Sequence, residues 1–150
     1  LFAIPVSVSV PLLLVAIAGI EEVAKSAHLY AGFRTGTFAP TWRTTALVGA
    51  LSGLGFFLGE KFTAVVQVVG LPELTLGRAA FSASGAGLGG LGSSPLAILA
   101  LFLAPLVLHA VTATVSAAGA TRGRNAYFGA LVAATLLHAG YNITVVSAVV

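Results

Sequence analysis

The sequence predicts an all-α fold, a polytopic transmembrane helical bundle of about four spans, and three observations predict it. The 150 residues are 58% hydrophobic and only 7% charged, whereas an ordinary soluble domain is about 25% charged. The mean hydropathy of +1.06 places the chain in the membrane class before any motif is read. The apolar residues fall into four long stretches, each exceeding the ~20 residues that a helix needs to cross the hydrocarbon core.

The first span covers residues 3–33, with Pro5 and Pro11 bending its early part. Its opening run, LFAIPVSVSVPLLLVAIAGI, has no basic leader, and the apolar pattern continues through the glutamates, so it reads as span rather than signal peptide. The second span runs over residues 44–70. The third starts at Pro95, a residue suited to a first helical turn, and ends near Gly119. The fourth runs from Asn125 to the chain end. Residues 71–94 hold six glycines between Gly77 and Gly92, which predicts a flexible or re-entrant loop inside one transmembrane domain over 1–150.

Arg34 and Arg43 fall in the first loop, Arg122 and Arg124 in the third, while Arg78 in the second is offset by Glu73. The positive-inside rule then puts loops one and three in the cytoplasm and both ends outside; the expected location is the plasma membrane of a prokaryote. The seven basic residues form no stripe or cluster, which argues against nucleic acid as a partner. Cysteine is absent, so disulfides, thiolate chemistry and cysteine-ligated metals are excluded. Methionine is absent too, and the chain is expected to be a processed product or a fragment.

Three of the four carboxylates lie inside spans: Glu21 and Glu22 in the first, Glu60 in the second. His109 and His138 occupy similar places in the third and fourth. An ionisable side chain at the bilayer centre costs about 2.5–3.5 kcal/mol even on lenient insertion scales, and such residues usually face a protein interior or a wet cavity. Measured from the cytoplasmic ends at the helical rise, Glu21 lies ~18 Å deep, Glu60 ~24 Å, His109 ~15 Å and His138 ~20 Å. These depths define one layer, where side chains from four helices can meet. Faces agree with depth: Glu21, Lys25 and His28 form one stripe, Phe56 and Glu60 a second, His109, Thr112 and Ser116 a third, and His138 and Asn142 a fourth. Gly49, Gly53, Gly55 and Gly59 allow close helix approach in the second span.

Two adjacent carboxylates, a third carboxylate and two imidazoles suit hydrolysis. A carboxylate in a low-dielectric site can act as general base toward water. Imidazoles and a carboxylate can hold a divalent ion such as zinc with a position left open for water, and either the ion or the imidazoles can stabilise an oxyanion. Asn142, one turn after His138, can donate to that oxyanion or fix the ring.

Glu21-Glu22-Val23-Ala24-Lys25 resembles the EExxK motif of PrsW-type intramembrane proteases, relatives of the CAAX-prenyl endopeptidase and bacteriocin-processing (Abi) superfamily. Phe56 and Glu60 resemble its FxxxE second motif, His109 its third-motif histidine, and His138-Ala139-Gly140-Tyr141-Asn142 its closing HxxxN. The resemblance covers residues 20–142 and implies a glutamate-dependent or metal-dependent membrane endopeptidase acting on a membrane protein or peptide. By carry-over Glu21 activates water, Glu22 assists it or binds a helix partner, and Glu60, His109 and His138 form the metal or oxyanion site. Lys61 departs from the family, which often has Asn there, and the family's usual extra spans are missing.

The same residues fit other readings. The polar layer also suits a proton or cation path, or a catalytically silent subunit whose apolar faces are covered by partner chains. Ser82-Ala83-Ser84-Gly85 resembles the GxSG motif of rhomboid proteases, but lies in the glycine-rich loop with Ser82 where glycine is expected. HExxH and the phosphate-binding glycine motifs are absent.

Overall fold

A computed structural model describes residues 6–69 and 95–147, and among them all regular structure is helical. The helices are α1 (Val6–Arg34), α2 (Trp42–Val69), α3 (Pro95–Arg122) and α4 (Arg124–Ser147), each within a few residues of an expected span. Pro5, the glycine-rich loop and its Ser82 and Ser84 lie outside the described residues. Two helical stretches, Phe102–Arg122 in α3 and Arg124–Ser147 in α4, are long and apolar enough to cross a membrane. α1 and α2 are as long but hold the acidic and lysine side chains of the bundle.

Local chemistry sets the ends. Beyond α1 the Thr35 amide donates to the Ala31 carbonyl at 2.9 Å, and Gly36 takes the positive φ of 76° that turns the chain away from the helix. α2 begins where the Thr41 hydroxyl accepts from the Thr44 amide at 3.2 Å, capping one of the unpaired first-turn donors. α3 begins at Pro95 as expected. It meets α4 across the single residue Gly123, whose φ of 111° makes so short a reversal possible.

α3 is the hub: it packs on α1, α2 and α4, whereas α2 and α4 do not touch among the described residues. Small side chains make this possible. Ala113, Ala117 and Ala120 of α3 are buried. A Cβ on Gly49 would strike Thr114, one on Gly53 the main chain at His109 and Ala110, and one on Gly119 the main chain at Ala126 and Tyr127. Such contacts bring helix backbones together without help from large apolar side chains.

The distribution of polarity is inverted relative to a water-soluble bundle. The largest fully buried side chains are Lys25, Leu29, His109, Glu22, Thr112, Ser26 and Ser116, all polar but one. Leu12, Ile20, Leu47, Phe62, Val132 and Leu136 point outward, as do many other large apolar residues. Water would penalise both halves of that arrangement; a hydrocarbon surrounding favours it.

Gly53 and Gly55 test the close approach directly. Gly53→Ala is expected to destabilise the bundle by about 1–3 kcal/mol through overpacking. Gly55→Ala, with open space around its Cβ, should be neutral or gain up to about 1 kcal/mol. Thermal unfolding in detergent followed by circular dichroism reads the difference; equal effects would contradict the packing described.

Candidate acid–base site

All four helices send charged or titratable side chains into one cluster. α1 supplies Glu21, Glu22 and Lys25, α2 supplies Glu60 and Lys61, α3 supplies His109, and α4 supplies His138. Lys25 pairs with Glu22 one turn earlier on its own helix. Its Nζ also lies 3.0 Å from His109 Nδ1, donates to Thr112 Oγ1 at 3.1 Å and sits 5.2 Å from the centre of the Phe56 ring. His138 bridges the two adjacent glutamates: Nδ1 is 2.8 Å from Glu22 Oε1 and Nε2 is 3.2 Å from Glu21 Oε2. His109 Nε2 is 2.9 Å from Glu60 Oε2, and Glu60 Oε1 accepts from Lys61 at 2.9 Å. The imidazoles stand edge to face with centres 5.0 Å apart.

Three carboxylates face two ammonium groups and two imidazoles, and pairing of opposite charges is what a low-dielectric interior demands of buried ions.

Burial divides the cluster into a floor and an open edge. Glu22 and Lys25 are enclosed, with side chains 0% exposed. Glu21 and Glu60 keep 26% and 32% of their side chains exposed. A reacting group therefore meets Glu21 and Glu60 first, while Glu22 and Lys25 hold the geometry beneath. One floor atom, Glu22 Oε2, is buried with no hydrogen-bond partner among the described residues.

Two clamps fix the scaffold around the cluster. Ser52 of α2 donates to the Lys25 carbonyl at 2.7 Å, tying α2 to α1 where the lysine departs. Ser26 donates to the Glu22 carbonyl at 2.7 Å and lies 2.9 Å from the Tyr127 hydroxyl of α4. Tyr127 in turn stacks on Tyr30, with ring centres 4.5 Å apart.

Glu21, Glu60, His109 and His138, expected in one layer, are thus joined with Glu22 in one network of hydrogen bonds and ion pairs that runs through Lys25. Asn142 is half-buried one turn beyond His138 and forms no hydrogen bond among the described residues. The α1 stripe differs from expectation. Lys25 pairs with Glu22 rather than Glu21; i,i+3 and i,i+4 neighbours are both within reach on a helix, and His138 contacts both glutamates. His28 is exposed and lies outside the cluster. Thr112 and Ser116 share the buried face of His109 as expected. Sequence spacing gave no signal for Ser52 or for the Ser26–Tyr127 contact, since neither is charged and each joins distant segments.

Zinc was expected on Glu60, His109 and His138. As the side chains stand, each ring nitrogen already faces a neighbour within the cluster, and no three His, Asp or Glu donors among the described residues are arranged around a common point. A metal takes an imidazole lone pair, and His109 has none to give while Lys25 and Glu60 hold its two nitrogens. The donor types suit zinc, but the arrangement does not, and no step below runs through a metal.

No protein-family model, curated protein or solved structure matches the chain.

Depth of burial ranks the two adjacent glutamates. Glu22→Gln leaves Lys25 and His138 without their shared partner and is expected to cost about 3–5 kcal/mol. Glu21→Gln, at the open edge with one partner, should cost about 0–1 kcal/mol. Chemical unfolding in detergent measures both; the reverse order would contradict the floor-and-edge arrangement.

Proposed function

We propose that the chain is an integral membrane protein whose four helices all cross the bilayer, and that it hydrolyses peptide bonds in or beside the membrane. The observation that carries the reading is the meeting of Glu21, Glu22, Glu60, His109 and His138, from four separate helices, in one partly open cluster. These are the positions whose motifs resemble those of the PrsW-type and CAAX-prenyl endopeptidases, and hydrolysis by such a protein needs them side by side. The apolar outer faces of α1 and α2 support spanning by those helices despite their charges, since the charges turn inward. Arg34, Arg43, Arg122 and Arg124 flank the two short connections, which support a cytoplasmic side for both.

The chemistry follows from the open edge. Glu21 takes a proton from water as the oxygen attacks the scissile carbonyl carbon, and the carbonyl π electrons move onto its oxygen. Imidazole N–H groups, with Asn142 one turn from His138, donate to that oxyanion. Collapse of the intermediate breaks the C–N bond, and the proton gained by Glu21, or that held between Glu21 and His138, passes to the leaving amine. Glu22 holds His138 and Lys25 in place and does not contact the substrate. A zinc-dependent form, with Glu60, His109 and His138 as ligands, would require Lys25 to leave His109 first, since its ammonium occupies the acceptor nitrogen of that ring.

New protein N-termini in the membranes of a bacterial host expressing the chain provide the test. Products are expected with the unaltered chain and are expected to fall at least about a hundredfold in Glu21→Gln and His138→Ala, the scale of lost general acid–base catalysis, at equal expression. Undiminished products in both variants would contradict the hydrolase reading. Charge movement across liposomes without products would favour the ion-path reading instead.

A further inference from the structure

We propose that Lys25 is a positioning residue: it holds His109 as the neutral Nε2–H tautomer, making that ring a hydrogen-bond donor to anions at the open edge of the cluster. The anion's identity as a hydrolytic oxyanion rests on the function proposed above; the tautomer does not.

An ammonium group has three N–H donors and no acceptor. Lys25 has three acceptors around it: Glu22 Oε1, Thr112 Oγ1 at 3.1 Å and His109 Nδ1 at 3.0 Å. Thr112 directs its own hydroxyl proton to the His109 carbonyl at 3.4 Å, so its oxygen is free to accept. Facing a group that only donates, His109 Nδ1 must accept. A neutral imidazole has one donor and one acceptor nitrogen, so Nε2 carries the proton. The opposite side of the ring agrees. Nε2 faces Glu60 Oε2 at 2.9 Å; the other oxygen of that group accepts from Lys61 at 2.9 Å, and a carboxylate only accepts. The tautomer is therefore assigned twice, by a cation on one nitrogen and an anion on the other.

The groups facing His109 from each packed helix are Lys25 of α1, Glu60 of α2 beside the Phe56 ring at 5.3 Å, and His138 of α4. His138 has the opposite surroundings, with a carboxylate beside each nitrogen. The two rings thus have separate parts. His138 stands between Glu21 and Glu22; His109 presents a fixed N–H beside Glu60, where an incoming anion can displace the carboxylate.

Long-range proton–nitrogen correlation spectra of the full chain in detergent micelles, with ¹⁵N-labelled histidine and the exposed His28 replaced by Asn, read the ring nitrogens directly. The His109 spectrum is expected to show one bare nitrogen, Nδ1, and one protonated nitrogen, Nε2. Thr112→Val, which leaves the ammonium in place, should keep that pattern. Lys25→Met should lose it, with Nδ1 acquiring a proton in part or all of the population. A protonated Nδ1 in the unaltered chain, or an unchanged pattern in a folded Lys25→Met, would overturn the proposal. Should Lys25→Met fail to fold, the unaltered chain and Thr112→Val decide alone. No substrate enters these spectra, so an Nε2–H ring in a chain without cleavage activity would uphold the positioning and count only against the hydrolase.

Discussion

The bundle is organised by one buried ion pair. Lys25 and Glu22 lie one turn apart on α1, both fully enclosed, and neither could stay charged there alone. Two ions removed from water cost several kcal/mol each, and their attraction offsets that only when their remaining donors and acceptors are also met. The ammonium reaches His109 and Thr112 on α3, and the carboxylate reaches His138 on α4. The second carboxylate of α1 and the lysine-held carboxylate of α2 complete the set. The helices of His109 and His138 thereby supply partners to the pair, α2 places the Phe56 ring against the ammonium, and of the pair's side-chain polar atoms Glu22 Oε2 alone is left without a hydrogen bond among the described residues.

The same requirement explains the shape of the bundle. A lysine side chain can meet α3 only if the helices lie close. Gly53 lets α2 approach the main chain of α3 at His109 and Ala110, which brings Phe56 and Glu60, three and seven residues further along α2, beside the His109 ring. Gly119 does the same between α3 and α4. With polar groups gathered inside, large apolar residues are left to the outer surface, an arrangement that a hydrocarbon surrounding favours. The inverted polarity and the acid–base cluster are two consequences of one arrangement.

Much of this was legible in the sequence, for a definite physical reason. Long apolar runs bounded by Gly, Pro and Arg fix helices to within a few residues, because a span tolerates few polar interruptions. Interruptions of that kind are expected to face inward, so the depths of Glu21, Glu60, His109 and His138 pointed to one layer. Pairing was not legible at that level. Glu21 and Glu22 are both in reach of Lys25, and spacing along one helix does not choose between them. Lys61 stood out in sequence only as a departure from a family pattern; in the structure it balances Glu60. Ser52, Ser26 and Tyr127 act through contacts between distant segments, which spacing along one helix does not encode. The glycine-rich stretch 71–94 is outside the described residues.

The central claim is that Lys25 and Glu22 depend on each other inside the bundle. A double-mutant cycle on Lys25→Met and Glu22→Leu, with unfolding free energies measured in detergent, tests it most directly. The double change should cost less than the sum of the two single changes, each of which leaves one buried charge unpaired, with a coupling of about 2–3 kcal/mol, at the high end for contacting buried groups. Additive losses, or a coupling below about 0.5 kcal/mol, would show that the two side chains do not meet in a dry interior, and the cluster built on them would not stand.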